Sequence, residues 1–152
     1  LDRFLFKIMV SYPSVDEEVK IIQAHNSNMK YTKLENVEPI LTKEELLSLR
    51  ELAHSIFIDE KLMKYIALLI QETRTNKSIY IGASPRASIA YLHAVKAYAL
   101  IQGRTFVIPD DIKILTYPIL CHRIILTAEA EMEGMSIESV IEDIISKVEA
   151  PK

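Results

Sequence analysis

The chain has 152 residues, 49% of them hydrophobic, and a formal net charge of −3, which suits one domain with a sizeable core and excludes a disordered polypeptide. The charge signs are mixed along the chain, which excludes a general electrostatic grip on nucleic acid or on an anionic membrane. No apolar run approaches membrane-spanning length, no signal peptide is visible, no Cys/His cluster has zinc-ligand spacing and the lone Cys121 has no disulfide partner, so the expected protein is soluble and cytoplasmic.

The chain starts at Leu1, already inside an apolar run, Phe4 to Val10, that ends at Tyr12-Pro13. A run of this length reads as a strand, and a strand alone would leave its backbone groups unpaired. The expectation is a short N-terminal strand left over from a sheet in a preceding part of a longer polypeptide. Ser14-Val15-Asp16-Glu17 then forms a capping box, and Val19, Ile22 and Gln23 lead an amphipathic helix to about Asn28. Ser27 to Pro39 is polar and weakly periodic, and reads as a linker. A second capping box, Thr42 to Glu45, opens a helix with Leu46, Leu49, Leu52 and Ala53 on its apolar face, ending near His54 or Ser55. After the β-favouring Ile56-Phe57-Ile58, Asp59 caps a helix carrying Leu62, Ile66, Leu69 and Ile70 to about Thr75.

A polar turn leads to Ile79-Tyr80-Ile81, and Ser84 and Pro85 start a helix that runs to about Gln102, where Gly103 ends it. Ala87, Ala90, Ala94 and Ala97 recur along it at three- and four-residue spacing, which lets a neighbouring helix approach closely and marks it as the central helix. Phe106-Val107-Ile108 is again strand-like and is expected to pair with Ile79–Ile81 as a two-stranded ribbon. Pro109-Asp110-Asp111 opens a helix reaching Leu115 or as far as His122, with Pro118 forcing a kink or break. A last helix follows the Gly134 turn and the Ser136 cap, with Ile137, Val140, Ile141, Ile144, Ile145 and Val148 on one face. The fold class is therefore mainly α: a helical bundle with a short N-terminal strand and a small ribbon.

Arg86 is the residue that this reading does not absorb. Ser84 is a preferred N-cap and Pro85 suits the first helical position, so Arg86 places a cation at the positive end of a helix, at a cost of about 0.3–1 kcal/mol if exposed. A phosphate reverses the sign, because it accepts bonds from the helix N–H groups and from the guanidinium together. The alternative is a surface arginine that snorkels or pairs with a nearby carboxylate. His25, His54 and His93 lack the spacing of a metal or catalytic site, and Asp110 and Asp111 are explained by helix-start chemistry. His122-Arg123 sits at a helix end, where the dipole favours cations, and a subunit contact through Arg123 is left open.

Five pieces, Leu1-Asp2-Arg3-Phe4, Tyr12-Pro13-Ser14, Gly82-Ala83-Ser84-Pro85-Arg86-Ala87, Pro109-Asp110-Asp111 and His122-Arg123, together resemble the C-terminal part of a MoxR-type AAA+ ATPase. The resemblance implies a helical lid over a nucleotide held by an α/β core, with residues 1–13 the last strand and hinge of that core and residues 14–152 the lid. Arg86, introduced by Ser84 and Pro85, matches the sensor-2 arginine that touches the terminal phosphate of ATP in its own subunit. Arg3 resembles the arginine finger acting on the neighbouring subunit's site; a partner for Asp2 or a sheet-edge charge is the other reading. The resemblance further implies ATP and Mg in the longer parent, a homo-oligomeric ring, contact with its own N-terminal AAA+ core, and a client with a von Willebrand factor A-type domain to be remodelled or matured. Two departures stand out. Ile108 replaces the hydroxyl residue usual before Pro-Asp-Asp, and no G-x-x-x-x-G-K-[ST] loop or magnesium-binding acidic motif is present, so this chain alone is expected to be inactive with no cofactor bound. The alternatives are the lid of a magnesium-chelatase ATPase subunit or replicative helicase, or a free-standing helical protein- or DNA-binding module. The balanced charge and the absence of a basic recognition helix count against the DNA reader.

Overall fold

The computed structural model describes residues 1–26 and 38–151, so most of the expected linker, and the end of the first helix beyond Asn26, lie outside the described residues. The chain divides into two compact units, Ile8–Leu47 and a larger one made of Leu1–Lys7 with Ser48–Lys152.

In the smaller unit, both capping boxes form as the sequence predicts. At the start of α1 (Val15–Asn26), the backbone N–H and hydroxyl of Ser14 both donate to Glu17 Oε2 at 2.8 Å. At the start of α2 (Lys43–Ser55), Thr42 does the same to Glu45 at 2.7 and 2.8 Å. These bonds favour the ionised carboxylates and hold both glutamates below their ordinary pKa.

The larger unit is built on α3 (Glu60–Thr75), α4 (Pro85–Ile101), α5 (Pro109–Leu120) and α7 (Ile137–Lys147). Helix α4 packs between α3 and α5, and α7 covers both of those. The core draws Tyr65, Leu69 and Ile70 from α3, Ala87, Tyr91, Val95 and Ala99 from α4, Ile112, Ile119 and Leu120 from α5, and Ile141 and Ile144 from α7. Each large aliphatic side chain withdrawn from water contributes about 1.5–3 kcal/mol before chain entropy is set against it. The small side chains of α4 are what let its neighbours lie close on two sides. Gly103, at φ +71°, ends α4, with the Arg104 N–H bonded back to the Ala99 carbonyl at 2.9 Å. Cys121 is buried, as expected, and burial pushes its thiol pKa up.

The structure corrects the sequence reading in three places. First, β1 (Ile79–Ile81) pairs antiparallel with β2 (Ile125–Leu126), Ile79 opposite Leu126 and Ile81 opposite Ile125, and not with Phe106–Ile108. Phe106 instead makes an isolated parallel bridge with Phe57, in which the Phe57 N–H donates to the Thr105 carbonyl and the Val107 N–H to the Phe57 carbonyl, both at 3.0 Å. Backbone pairing satisfies both segments, but with different partners. Second, Phe4 to Val10 is not a strand: residues 1–4 form a turn closed by the Phe4 N–H on the Leu1 carbonyl at 3.0 Å, and nothing among the described residues pairs with the rest as a sheet. The Phe4 and Leu5 carbonyls accept bonds from the side chains of His122 and Arg123 instead. Third, α5 continues through Pro118 to Leu120 as one helix, and a five-residue helix α6 (Ala128–Met132), capped by Thr127, adds an element the sequence reading lacked.

Candidate functional site

The last turn of α3 fixes the start of α4. The Ala83 N–H donates to Thr73 Oγ1 at 3.0 Å, the Thr73 hydroxyl donates to the Ile70 carbonyl at 2.7 Å, and Arg74 Nε donates to the Ala83 carbonyl at 2.8 Å. Gly82 lies so close beneath this clamp that a Cβ there would stand 2.5 Å from the Thr73 carbonyl oxygen and 2.9 Å from the Arg74 backbone. Only a residue without a side chain permits that approach.

Ser84 follows with extended dihedrals (φ −77°, ψ 167°) and accepts the Arg86 N–H at 3.2 Å, and Pro85 occupies the first helical position. No acidic side chain lies in the first turn of α4. The acid comes from elsewhere: Asp2 Oδ2 accepts the Ser84 hydroxyl at 2.9 Å and lies 3.6 Å from the Arg86 guanidinium. The Arg86 side chain is 62% exposed and pairs with no other carboxylate among the described residues. An exposed pair at that separation is worth roughly 0–1 kcal/mol. Arg86 is therefore neither turned inward nor locked by acids.

The other oxygen of Asp2, Oδ1, faces Arg123 Nε at 3.4 Å. The Ser84 hydroxyl does most to hold the Asp2 carboxyl below its ordinary pKa; burial opposes it, and the charges of Arg123 and then Arg86 add to the lowering. Arg123 is 2% exposed, and its guanidinium also bonds the carbonyls of Asp2, Phe4, Leu5 and Ile119. His122 Nε2 lies 3.0 Å from the Phe4 carbonyl, and the Lys7 N–H donates to the Pro118 carbonyl at 3.0 Å. From the sequence, His122-Arg123 reads as a helix end with a subunit contact through Arg123 left open. Apart from Ile119, the backbone partners of Arg123 are more than a hundred residues away, and no local signal announces them. Arg3 is exposed and makes no hydrogen bond or ion pair with any described residue; it is Arg86 and Arg123, not Arg3, that pair with Asp2.

Ile108 offers no side-chain cap to α5, and only the reciprocal half of a capping box forms there. Asp111 is buried and accepts the Ile108 N–H at 2.9 Å, while Arg104 holds the same carboxylate through two bonds. Asp110 pairs with Lys113 at 3.2 Å. No group of metal-ligating side chains occurs among the described residues, and no described helix is long and apolar enough to cross a membrane.

The guanidinium of Arg86 stands exposed at the positive end of a 17-residue helix whose start is fixed by the Thr73 and Arg74 clamp, which leaves its donors open to an oxyanion. The sequence holds no G-x-x-x-x-G-K-[ST] phosphate-binding loop.

Residues 71–144, which include the serine-capped helix α4, match the AAA lid domain family. The chain is 39% identical over 151 residues to the uncharacterized protein YeaC of Bacillus subtilis, covering 99% of this chain and 46% of that protein. It is 35% identical over 160 residues to the chaperone MoxR1 of Mycobacterium tuberculosis, covering 99% of this chain and 41% of that protein. A solved structure from Cytophaga hutchinsonii, of a protein proposed to be an ATPase, superposes with a TM-score of 0.84 at 37% identity, over 99% of this chain and 48% of that one. The chain carries an AAA lid domain and is related over nearly its whole length to MoxR1, and it spans less than half the length of these relatives.

Proposed function

We propose that this chain is the end of the AAA+ core, residues 1–13, followed by the lid, residues 14–152, of an ATPase that couples ATP binding and hydrolysis to the remodelling or maturation of partner proteins. ATP and Mg, held by the core of the longer protein, supply the transferable phosphoryl group. In this reading Arg86 acts as sensor 2 and contacts the terminal phosphate in its own subunit, so that the lid sits differently with and without that phosphate. Ser84 and Pro85 set the helix start that aims it. Arg3, exposed and unpaired, acts in trans as an arginine finger on the neighbouring subunit of a homo-oligomeric ring. The client is a protein with a von Willebrand factor A-type domain, and the machine works in the cytoplasm. The chain alone is inactive because it carries no phosphate loop.

The observation that supports this reading best is the state of Arg86: at a helix start fixed by the Thr73 and Arg74 clamp, 62% exposed, and with one carboxylate partner at 3.6 Å among the described residues. Arg86→Ala in the longer protein is expected to lower ATP turnover by about tenfold or more, with its melting temperature unchanged. Unchanged turnover removes the role assigned to it.

A further inference from the structure

Asp2 divides its two carboxylate oxygens between two arginines of unlike character. Oδ1 faces the buried Arg123, whose guanidinium is fixed by carbonyls of residues 2, 4, 5 and 119, while Oδ2 faces the exposed Arg86 and accepts the Ser84 hydroxyl. Oδ1 is held beside the fixed Arg123 by charge alone, with no hydrogen bond among the described residues, while Oδ2 keeps the Ser84 hydroxyl at 2.9 Å; only its 3.6 Å contact with Arg86 is exchangeable. Arg3 follows directly in sequence, on the turn closed by the Phe4 N–H and the Leu1 carbonyl, and residues 1–7 belong to the same compact unit as α3 to α7.

We propose that Asp2 is a positioning residue that ties the backbone segment carrying Arg3 to the Ser84–Arg86 start of α4, so that a phosphate engaged by Arg86 in one subunit shifts the arginine presented to the next. The proposal rests on the roles given above to Arg86 and Arg3, and it adds the link between them. The weakness of the Asp2–Arg86 pair is what makes the link work. A phosphate carries more charge than a carboxylate and takes the guanidinium from Oδ2 at small cost, whereas the buried Arg123 keeps the rest of the segment on the lid. The segment bearing Arg3 then follows the lid wherever the phosphate contact moves it. Two sites in different subunits are thereby coupled through one side chain, with the clamp on residues 2–5 as the rigid element.

The test measures steady-state turnover, KM for ATP and melting temperature in the full-length ATPase carrying Asp2→Asn, Arg86→Ala, or both. Asp2→Asn is expected to lower kcat about tenfold while leaving KM for ATP within about twofold, because nucleotide binding is retained and only the coupling is lost. The double variant is expected to be no slower than the slower single one, since both substitutions break the same link. Three results overturn the proposal: Asp2→Asn turnover within about twofold of the unsubstituted enzyme, a KM that rises by the factor by which kcat/KM falls, or a double variant slowed by the product of the two single factors. If Asp2→Asn does not fold, Ser84→Gly takes its place under the same criteria; it removes the hydroxyl that Asp2 accepts, and glycine is itself a tolerated helix cap. The two layers fail separately. Arg86→Ala without effect sinks the sensor reading, whereas slow Arg86→Ala and Arg3→Ala enzymes beside a normal Asp2→Asn enzyme sink the coupling alone.

Discussion

Arg86 and Arg123 meet the same carboxylate, yet one is 62% exposed with a single ionic partner and the other is 2% exposed with several backbone carbonyls around it. A guanidinium out of water must have most of its five donors satisfied, and once they are, it cannot leave without stranding its acceptors. Arg123 is scaffold for that reason. Arg86 gives up little on leaving Asp2, because water replaces the contact on the exposed side. Charge type is the same in both places, so burial and the number of satisfied donors decide which arginine is free to meet a ligand.

The comparison breaks first at the platform that keeps Arg86 in place. Gly82→Ala puts a methyl 2.5 Å from the Thr73 carbonyl oxygen and 2.9 Å from Arg74 Cα, and backbone atoms cannot swing aside as a flexible side chain can. We expect a loss of about 3 kcal/mol in denaturant unfolding, the upper end of overpacking costs. A loss below about 0.5 kcal/mol would mean that the strand-to-helix turn is not clamped as described. Next in size is Arg123→Met, which keeps the apolar stem but takes the guanidinium from the carbonyls of residues 2, 5 and 119. It is expected to cost about 2 kcal/mol. Hydrogen exchange at the Lys7 amide, bonded to the Pro118 carbonyl at 3.0 Å, reports the same event locally and should quicken. Equal costs for Arg123→Met and Arg86→Met would erase the distinction between the two arginines.

The sequence makes one side of this comparison visible and hides the other. Asp59, Ser84 and Ser136 announce the starts of α3, α4 and α7 because capping is a local code, read within three residues, and each accepts the backbone bond expected of it. Arg86 stands out for the same reason, as a local charge at odds with its helix end. Arg123 does not, since its partners at residues 2 to 5 come near only through the fold. The ribbon fails similarly: Ile79–Ile81 is recognisable, but its partner Ile125–Leu126 is two residues long, too short for any alternation to show. Phe106-Val107-Ile108 carries the stronger β signal and bridges Phe57 instead. At Ile108 the local code did leave a trace, because Asp111 three residues on forms the reciprocal half of a capping box by accepting the Ile108 N–H. Strand propensity in Phe4 to Val10 was real but unused, as propensity is when no edge is offered.

The smallest expected effects lie at the shared carboxylate itself, and they concern acid. Asp2 has its pKa lowered from 3.8 in the folded chain, first by the Ser84 hydroxyl and then by Arg123 and Arg86. A carboxyl whose folded pKa is depressed contributes stability that is fully present above its unfolded value, and that contribution is lost as pH falls through the folded one. The unsubstituted protein should therefore melt slightly above Asp2→Asn near neutrality, with the gap closing as the pH drops below about 3.8. Arg86→Ala, by contrast, should change the melting temperature little at any pH, because an exposed pair at 3.6 Å stores little energy. A gap between Asp2 and Asn proteins that stays constant from about pH 6 to about pH 3 would mean that shape and hydrogen bonding hold the segment, not charge. If it closes for the unsubstituted protein but is already absent with Arg123→Met in the background, the oxygen facing Arg123 carries the effect. In that case the side of Asp2 that faces Arg86 is left free for exchange, since a contact that contributes little to folding can be surrendered to a phosphate without loosening the lid.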